Sequence, residues 1–112
     1  MAVTDVAKAL AADIVARDIR ATIDPQIVQP PCVVVVPDGL TFRLSGDCAD
    51  YRFNLYAIAP GVRIADSLPV LDSLIDALKD LVTIGEVRAG SFPFGDGEVP
   101  AYICPVIIDA DW

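Results

Sequence analysis

The run Cys32-Val33-Val34-Val35-Val36 constrains this chain more than any other stretch. β-Branched side chains are stiff and pack well on a pleated surface, so an unbroken apolar run of this kind reads as a strand buried on both faces. Pro30 and Pro31 precede the run and favour extended backbone. Pro37-Asp38-Gly39 follows it as a turn signal: proline presets one dihedral and glycine tolerates positive φ. Leu40, Phe42 and Leu44 then alternate with Thr41, Arg43 and Ser45. The alternation predicts a second, half-exposed strand and a hairpin reversing at Pro37-Asp38-Gly39.

A further turn at Ser45-Gly46-Asp47 leads into the clearest strand of the chain, over 50–59. Tyr51, Phe53, Leu55, Ala57 and Ala59 share one side of it, and Arg52, Asn54, Tyr56 and Ile58 share the other. Helical spacing appears twice. Val3, Val6, Ala7, Leu10, Ile14 and Val15 form a stripe, with Thr4 as the expected N-cap and Asp5 in the first turn. The pattern fades near Arg20, and 23–31 reads as a proline-rich connection. The second helix is expected over 67–82, capped by Asp66 or Ser67, with Pro69 in its first turn and Gly85 as terminator. Its buried stripe is Leu71, Leu74, Ile75, Leu78, Leu81 and Val82; its wet face is Asp72, Asp76, Lys79 and Asp80.

The last third predicts two strands, 86–92 and 99–109, around a glycine-containing loop at 93–97. Both alternating sets of the final strand are apolar, which suits a covered strand, but Pro105 weighs against an entirely central place. The element order is then α-β-β-β-α-β-β. That order predicts an α+β fold, a small antiparallel sheet with two helices packed on one face. With 112 residues the chain makes one domain, 1–112, burying roughly two-thirds of its unfolded surface.

Composition narrows the functions. The apolar share is 54% and the mean hydropathy +0.54, high enough that part of the apolar surface is expected to meet other subunits. The net charge is −8, from 16 acidic and 8 basic residues, and the basic residues are scattered singly. Nucleic-acid binding and adsorption to anionic membranes are therefore disfavoured. No continuous apolar segment is long enough to be a signal peptide or to span a bilayer, so the chain is expected to be made in a cytoplasm.

Chemistry finds little to stand on. The chain has no histidine, which removes the usual general base and any Ser-His or Cys-His pair. Cys32, Cys48 and Cys104 make an odd count without CxxC spacing, so neither a metal site nor a disulfide framework is expected. Cys32 and Cys104 read as buried small hydrophobes, and Cys48 as more exposed. Asp72 with Asp76, and Asp47 with Asp50, are acid pairs that read as solvated surface. Gly95-Asp96-Gly97 is too short to cradle phosphate and reads as a hairpin loop. Phe92 and Phe94 beside it either plug the domain's own core or dock onto a neighbour. Arg43, Arg52, Arg63 and Arg88 are solvated charges or, for at least one of them, partners of a carboxylate on the next subunit. No catalytic residue and no cofactor are expected.

The pattern resembles the tail terminator (tail completion, or neck) proteins of long-tailed, non-contractile phages. The resemblance rests on the short N-terminal helix, the strand PPCVVVVPDGLTF, a cysteine followed by YRFNLYAIAPG, the helix DSLPVLDSLIDALKDL and a closing hairpin ending PAYICPVIID. It covers nearly all of the chain, and each of its motifs is a structural pattern rather than a catalytic signature. It implies a structural virion protein, a homo-oligomeric ring, commonly a hexamer, that caps the tail tube and meets the head-tail connector. The family's ring contacts do not transfer residue by residue; read from the loops and exposed apolar residues of this sequence, the expected assembly interface is Asp38, Arg43, Arg63, Phe92 and Phe94, and read from its loop and helix-face acids, the expected acidic channel face is Asp47, Asp50, Asp72 and Asp76. The alternatives are another head-completion protein and an acidic protein-binding module or inhibitor.

Overall fold

The computed structural model describes residues 2–24, 31–42, 48–59, 64–82, 84–94 and 97–111; at 64–67, 94, 110 and 111 it describes the backbone alone. The elements in chain order are α1 (Val3–Val15), β1 (Ala21–Thr22), β2 (Cys32–Phe42), β3 (Cys48–Ile58), α2 (Ile64–Lys79), β4 (Arg88–Phe94) and β5 (Gly97–Asp111). The strands form one five-stranded sheet in the order β1-β2-β3-β5-β4. Only β1 runs parallel to its neighbour, so the sheet is mixed and otherwise antiparallel. The class and the element order are those expected from the sequence, although two of the strands arise differently.

The valine run does begin a strand, but Pro37-Asp38-Gly39 does not reverse the chain. β2 continues through it as one strand of 11 residues, paired with β3 from Cys32↔Ile58 to Phe42↔Ala49. The register slips between Pro37 and Gly39, which leaves Asp38 as the extra residue of a β-bulge. Pro37 fits because the Val33 N–H donates to the Arg20 carbonyl, 2.8 Å away on the β1 side. Backbone polar groups alternate sides along a strand, so residue 37 also faces the outer edge, where a missing donor breaks no bond to β3. The third strand of the expected order is instead β1, formed where the chain leaves α1 through a tight turn. There Asp18 adopts φ 62, a left-handed conformation that aspartate tolerates better than most residues.

Both helices lie on one face of the sheet. Val6, Ala7, Leu10 and Ile14 of α1 and Leu78 of α2 pack with Val33, Val35, Tyr51, Phe53, Leu55, Cys104 and Val106. Leu71 and Leu74 extend that layer over Ala57 and Ala59. A buried valine or leucine here contributes roughly 1.5–3 kcal/mol by leaving water. Local details differ from the sequence reading. α1 starts at Val3 with Ala2 as N-cap and no side-chain cap, so Thr4 is inside the helix, and Val15 is 52% exposed, one residue round from buried Ile14. α2 starts at Ile64, ahead of the expected caps Asp66 and Ser67. Pro69 thus falls in its second turn and gives up one helical hydrogen bond, while Ser73 Oγ donates to the Pro69 carbonyl at 3.0 Å.

The opposite face carries its own cluster: Cys32, Val34, Ile58, Phe92, Val99 and Ala101. Phe92 of β4 meets Tyr56 of β3 edge-to-face, ring centroids 5.4 Å apart, with β5 between their strands. Phe92 pairs with Val99, whereas Tyr56 pairs with Ile103. In a flat sheet that offset is about 13 Å along the strands and about 10 Å across them. The rings touch, so the sheet is not flat here and the β4–β5 hairpin curls over this face.

β4 and β5 pair through Pro93↔Glu98 and Phe94↔Gly97, so both strands run further into the expected loop at 93–97 than the sequence suggested. Ser91 Oγ donates to a Glu98 carboxylate oxygen across the ladder at 3.0 Å. Beyond Ile103 the β4 pairing ends, and β5 continues alongside β3 to Asp111.

Candidate assembly surfaces

Of the residues expected at an assembly interface, Arg43 and Arg63 lie outside the described residues, as does the side chain of Phe94. Asp38 is exposed at the bulge of β2. Phe92 corrects the expectation. Its side chain is only 7% exposed and belongs to the chain's own second cluster, against Tyr56. Alternation along β4 turns it inward with Val99, and the coiling of the hairpin covers it, so it offers almost no surface to a neighbour.

The expected acidic face is not one wall. Asp47 lies outside the described residues. Asp50, half-buried on β3, alternates with Tyr51 and Phe53 and so stands on the face away from the helices. Asp72 and Asp76 are exposed on the outer side of α2, beyond the opposite face. Asp76 accepts an ion-paired hydrogen bond from Lys79 Nζ at 2.8 Å. That bond, then the charges of Asp76 and Asp80, hold the Lys79 ammonium above its ordinary pKa.

Two surfaces were not singled out from the sequence, and Ile107 belongs to both. It is 60% exposed and is the direct cross-strand partner of Arg52. Arg52 reaches away from Ile107 towards β2: its guanidinium donates to Thr41 Oγ1 and lies over Gly39, where a Cβ would come within 2.5 Å of a guanidinium nitrogen. The bulge thus places a glycine where an arginine can lie flat. Asp38, Arg52, Pro105 and Ile107 border a depression of about 230 Å³. On the other side of Ile107, a groove of about 370 Å³ runs between α1 (Val6, Leu10, Asp13), the residues after α2 (Leu81, Val82) and β5. The signal for this exposure in the sequence is Pro105, which marks the point where β5 leaves β4; the apolar alternation alone hides it.

Cys32 and Cys104 are buried and Cys48 is half-buried, all as thiols. Burial pushes the Cys104 thiol up to about 11 from an ordinary 9.0. Among the described residues, no group of three or more cysteine or carboxylate side chains is placed to hold a metal ion. No helix among them is long and apolar enough to cross a membrane. Comparison with protein-family models, with curated proteins and with solved structures finds no match to this chain.

Proposed function

We propose that this chain is a structural part of a virion joint, a ring-forming protein that caps the tail tube of a long-tailed phage and joins it to the head connector. The observation that carries this reading is the one-sided packing of the fold. Both helices cover the same face, and on the other face the exposed Ile107 stands beside Arg52 with no helix over it among the described residues. A chain of mean hydropathy +0.54 that leaves such a surface open is built to be covered by other subunits. The element order and the strand and helix motifs of the phage tail terminators add the specific assignment. In this role the chain recognises and assembles; it carries no catalytic centre and no cofactor. Its charge of −8 keeps it from adhering to the genome that passes the joint.

The test is the mass of the purified protein by light scattering, alone and with the tail-tube protein of the same virion. A ring-sized particle, or comigration with tube ends in the mixture, is the expected result. A monomer at every concentration that also ignores the tube would end this reading. Retention on duplex DNA at physiological salt would contradict the role given to the charge.

A further inference from the structure

The sheet has two edges, and the chain treats them differently. On one, β1 is two residues long, and the stretch of β2 beyond it carries Pro37 and the bulge at Asp38. A proline and a bulge on an edge both discourage a further strand. On the other edge, β4 pairs regularly with β5 from Arg88 to Phe94, and Arg88, its first residue, is its only charged one. Ala89, Gly90 and Ser91 are exposed.

The Gly85 N–H donates to the Pro105 carbonyl, so the odd-numbered residues of β5 turn their backbone polar groups away from β3, towards β4. In register with them, Arg88, Gly90 and Phe92 turn theirs towards β5, while Ala89, Ser91 and Pro93 turn theirs outward. Pro93 fits this assignment, because the donor it lacks would face outward. Among the described residues, no strand pairs with that outer side. The N–H and C=O groups of Ala89 and Ser91 are thus placed to extend the sheet by one more strand.

We infer that this strand is β4 of a second copy, running antiparallel about a two-fold axis at Gly90 and joining the two five-stranded sheets edge to edge. The edge is self-complementary in that register. Ala89 of each copy lies opposite Ser91 of the other, and the two exchange both backbone hydrogen bonds. The two Gly90 residues meet at the axis as a non-hydrogen-bonded pair, the kind whose Cα atoms approach to about 4.5 Å. Val87, 37% exposed, comes against Pro93 of the second copy, apolar against apolar at the end of the ladder. Arg88 stands opposite Phe92 rather than a second Arg88, so no like charges face each other. A two-fold contact stops at two copies. It is therefore independent of the ring reading above, which needs a heterologous contact on a different surface.

Sedimentation velocity of the wild type, A89P and A89V tests it, with circular dichroism as the control for folding. The wild type is expected to pair as its concentration rises. A89P removes one outward donor from each copy and should raise the dissociation constant at least about tenfold. A89V keeps the donor and should pair like the wild type. Amide hydrogen exchange of the wild type, read by NMR, decides the matter even where A89P fails to fold. The Ala89 and Ser91 amides should gain protection on association, while the Gly90 amide, already bonded to β5, should change little. Pairing of a folded A89P as tight as that of the wild type overturns the contact, and so does a wild type that stays monomeric at millimolar concentration. A ring in which the Ala89 and Ser91 amides exchange freely overturns it while leaving the ring reading in place. A dimer protected at those two amides that ignores the tail-tube protein upholds the contact and counts against the ring.

Discussion

The Gly85 N–H donates to the Pro105 carbonyl across 2.9 Å, on the side of β5 away from β3. Ile84 forms a bridge with Val106 beside it, so the segment entering β4 is tied to β5 before the regular ladder begins at Arg88↔Ile103. Gly85 thus lies well past the end of α2, and it serves the sheet rather than terminating the helix.

The same bond makes Pro105 harmless where it stands. An antiparallel residue points its N–H and C=O to one side, so the donor that Pro105 lacks would also face away from β3. Pro105→Ala is expected to change stability by less than about 1 kcal/mol in urea unfolding. Cys104 is fully buried and turns its N–H the other way, into the ladder with β3. Cys104→Pro is therefore expected to cost about 3 kcal/mol or more. Similar losses in the two variants would mean that the side assignment along β5 is wrong.

The faces of α2 give a second contrast. Leu74 packs with Ala57, Ala59 and Leu71, whereas Asp76 is exposed and pairs with Lys79 one turn away. Leu74→Asp places an unpaired charge in that layer and is expected to yield aggregated or unfolded protein. Asp76→Ala should leave the melting temperature within the scatter of the measurement, since an exposed ion pair contributes little. A soluble, normally melting Leu74→Asp protein would show that the helix is rotated from the orientation described.

Much of this architecture was legible because its signals are periodic. The stripes at Val6-Ala7-Leu10-Ile14 and Leu71-Leu74-Leu78 are both buried, and the alternation through Tyr51, Phe53 and Leu55 faces the helices. What misled was local chemistry that serves two purposes. Pro37-Asp38-Gly39 has the composition of a turn, yet β3 pairs on both sides of it and converts it into a bulge. Which outcome prevails depends on a partner strand far along the sequence. β1 was invisible because two residues held by a parallel pairing to β2 carry no pattern of their own. Two features of the surface were hidden for a related reason: exposure of Ile107 and burial of Phe92 are set by where β4 stops and how its hairpin coils. Neither is encoded at the residue concerned.

The Cys104 thiol gives a pH dependence with a definite sign. Its pKa is about 11 in the folded chain against an ordinary 9.0, the charged form being disfavoured by burial. Between those values the unfolded chain has released the proton and the folded chain still holds it. Stability is therefore fully present below about pH 9 and is lost as pH rises towards 11. The loss should be shallower in Cys104→Ala, once its lower baseline stability is subtracted. At neutral pH a thiol reagent is expected to label Cys48 well before Cys32 or Cys104, as their burial dictates. Equal dependence on pH in wild type and Cys104→Ala would assign the effect to other groups.

Phe92 and Tyr56 supply the most direct measure of how the β4–β5 hairpin sits. If the hairpin coils as described, Phe92 is a core residue, and Phe92→Ala should destabilise the fold by about 3 kcal/mol. Tyr56→Ala should cost less, because Tyr56 is half-buried. Edge-to-face aromatic pairs are worth about 0.5–1.5 kcal/mol beyond their area, so a double-mutant cycle on the two positions should return a coupling in that range. The rings belong to strands that are not neighbours, and an extended, flat hairpin would hold them too far apart to interact. Zero coupling together with a mild Phe92→Ala variant would place the ring at the surface. Phe92 would then return to the set of residues available to a neighbouring subunit, and the open face beside Arg52 and Ile107 would extend across β4 as well.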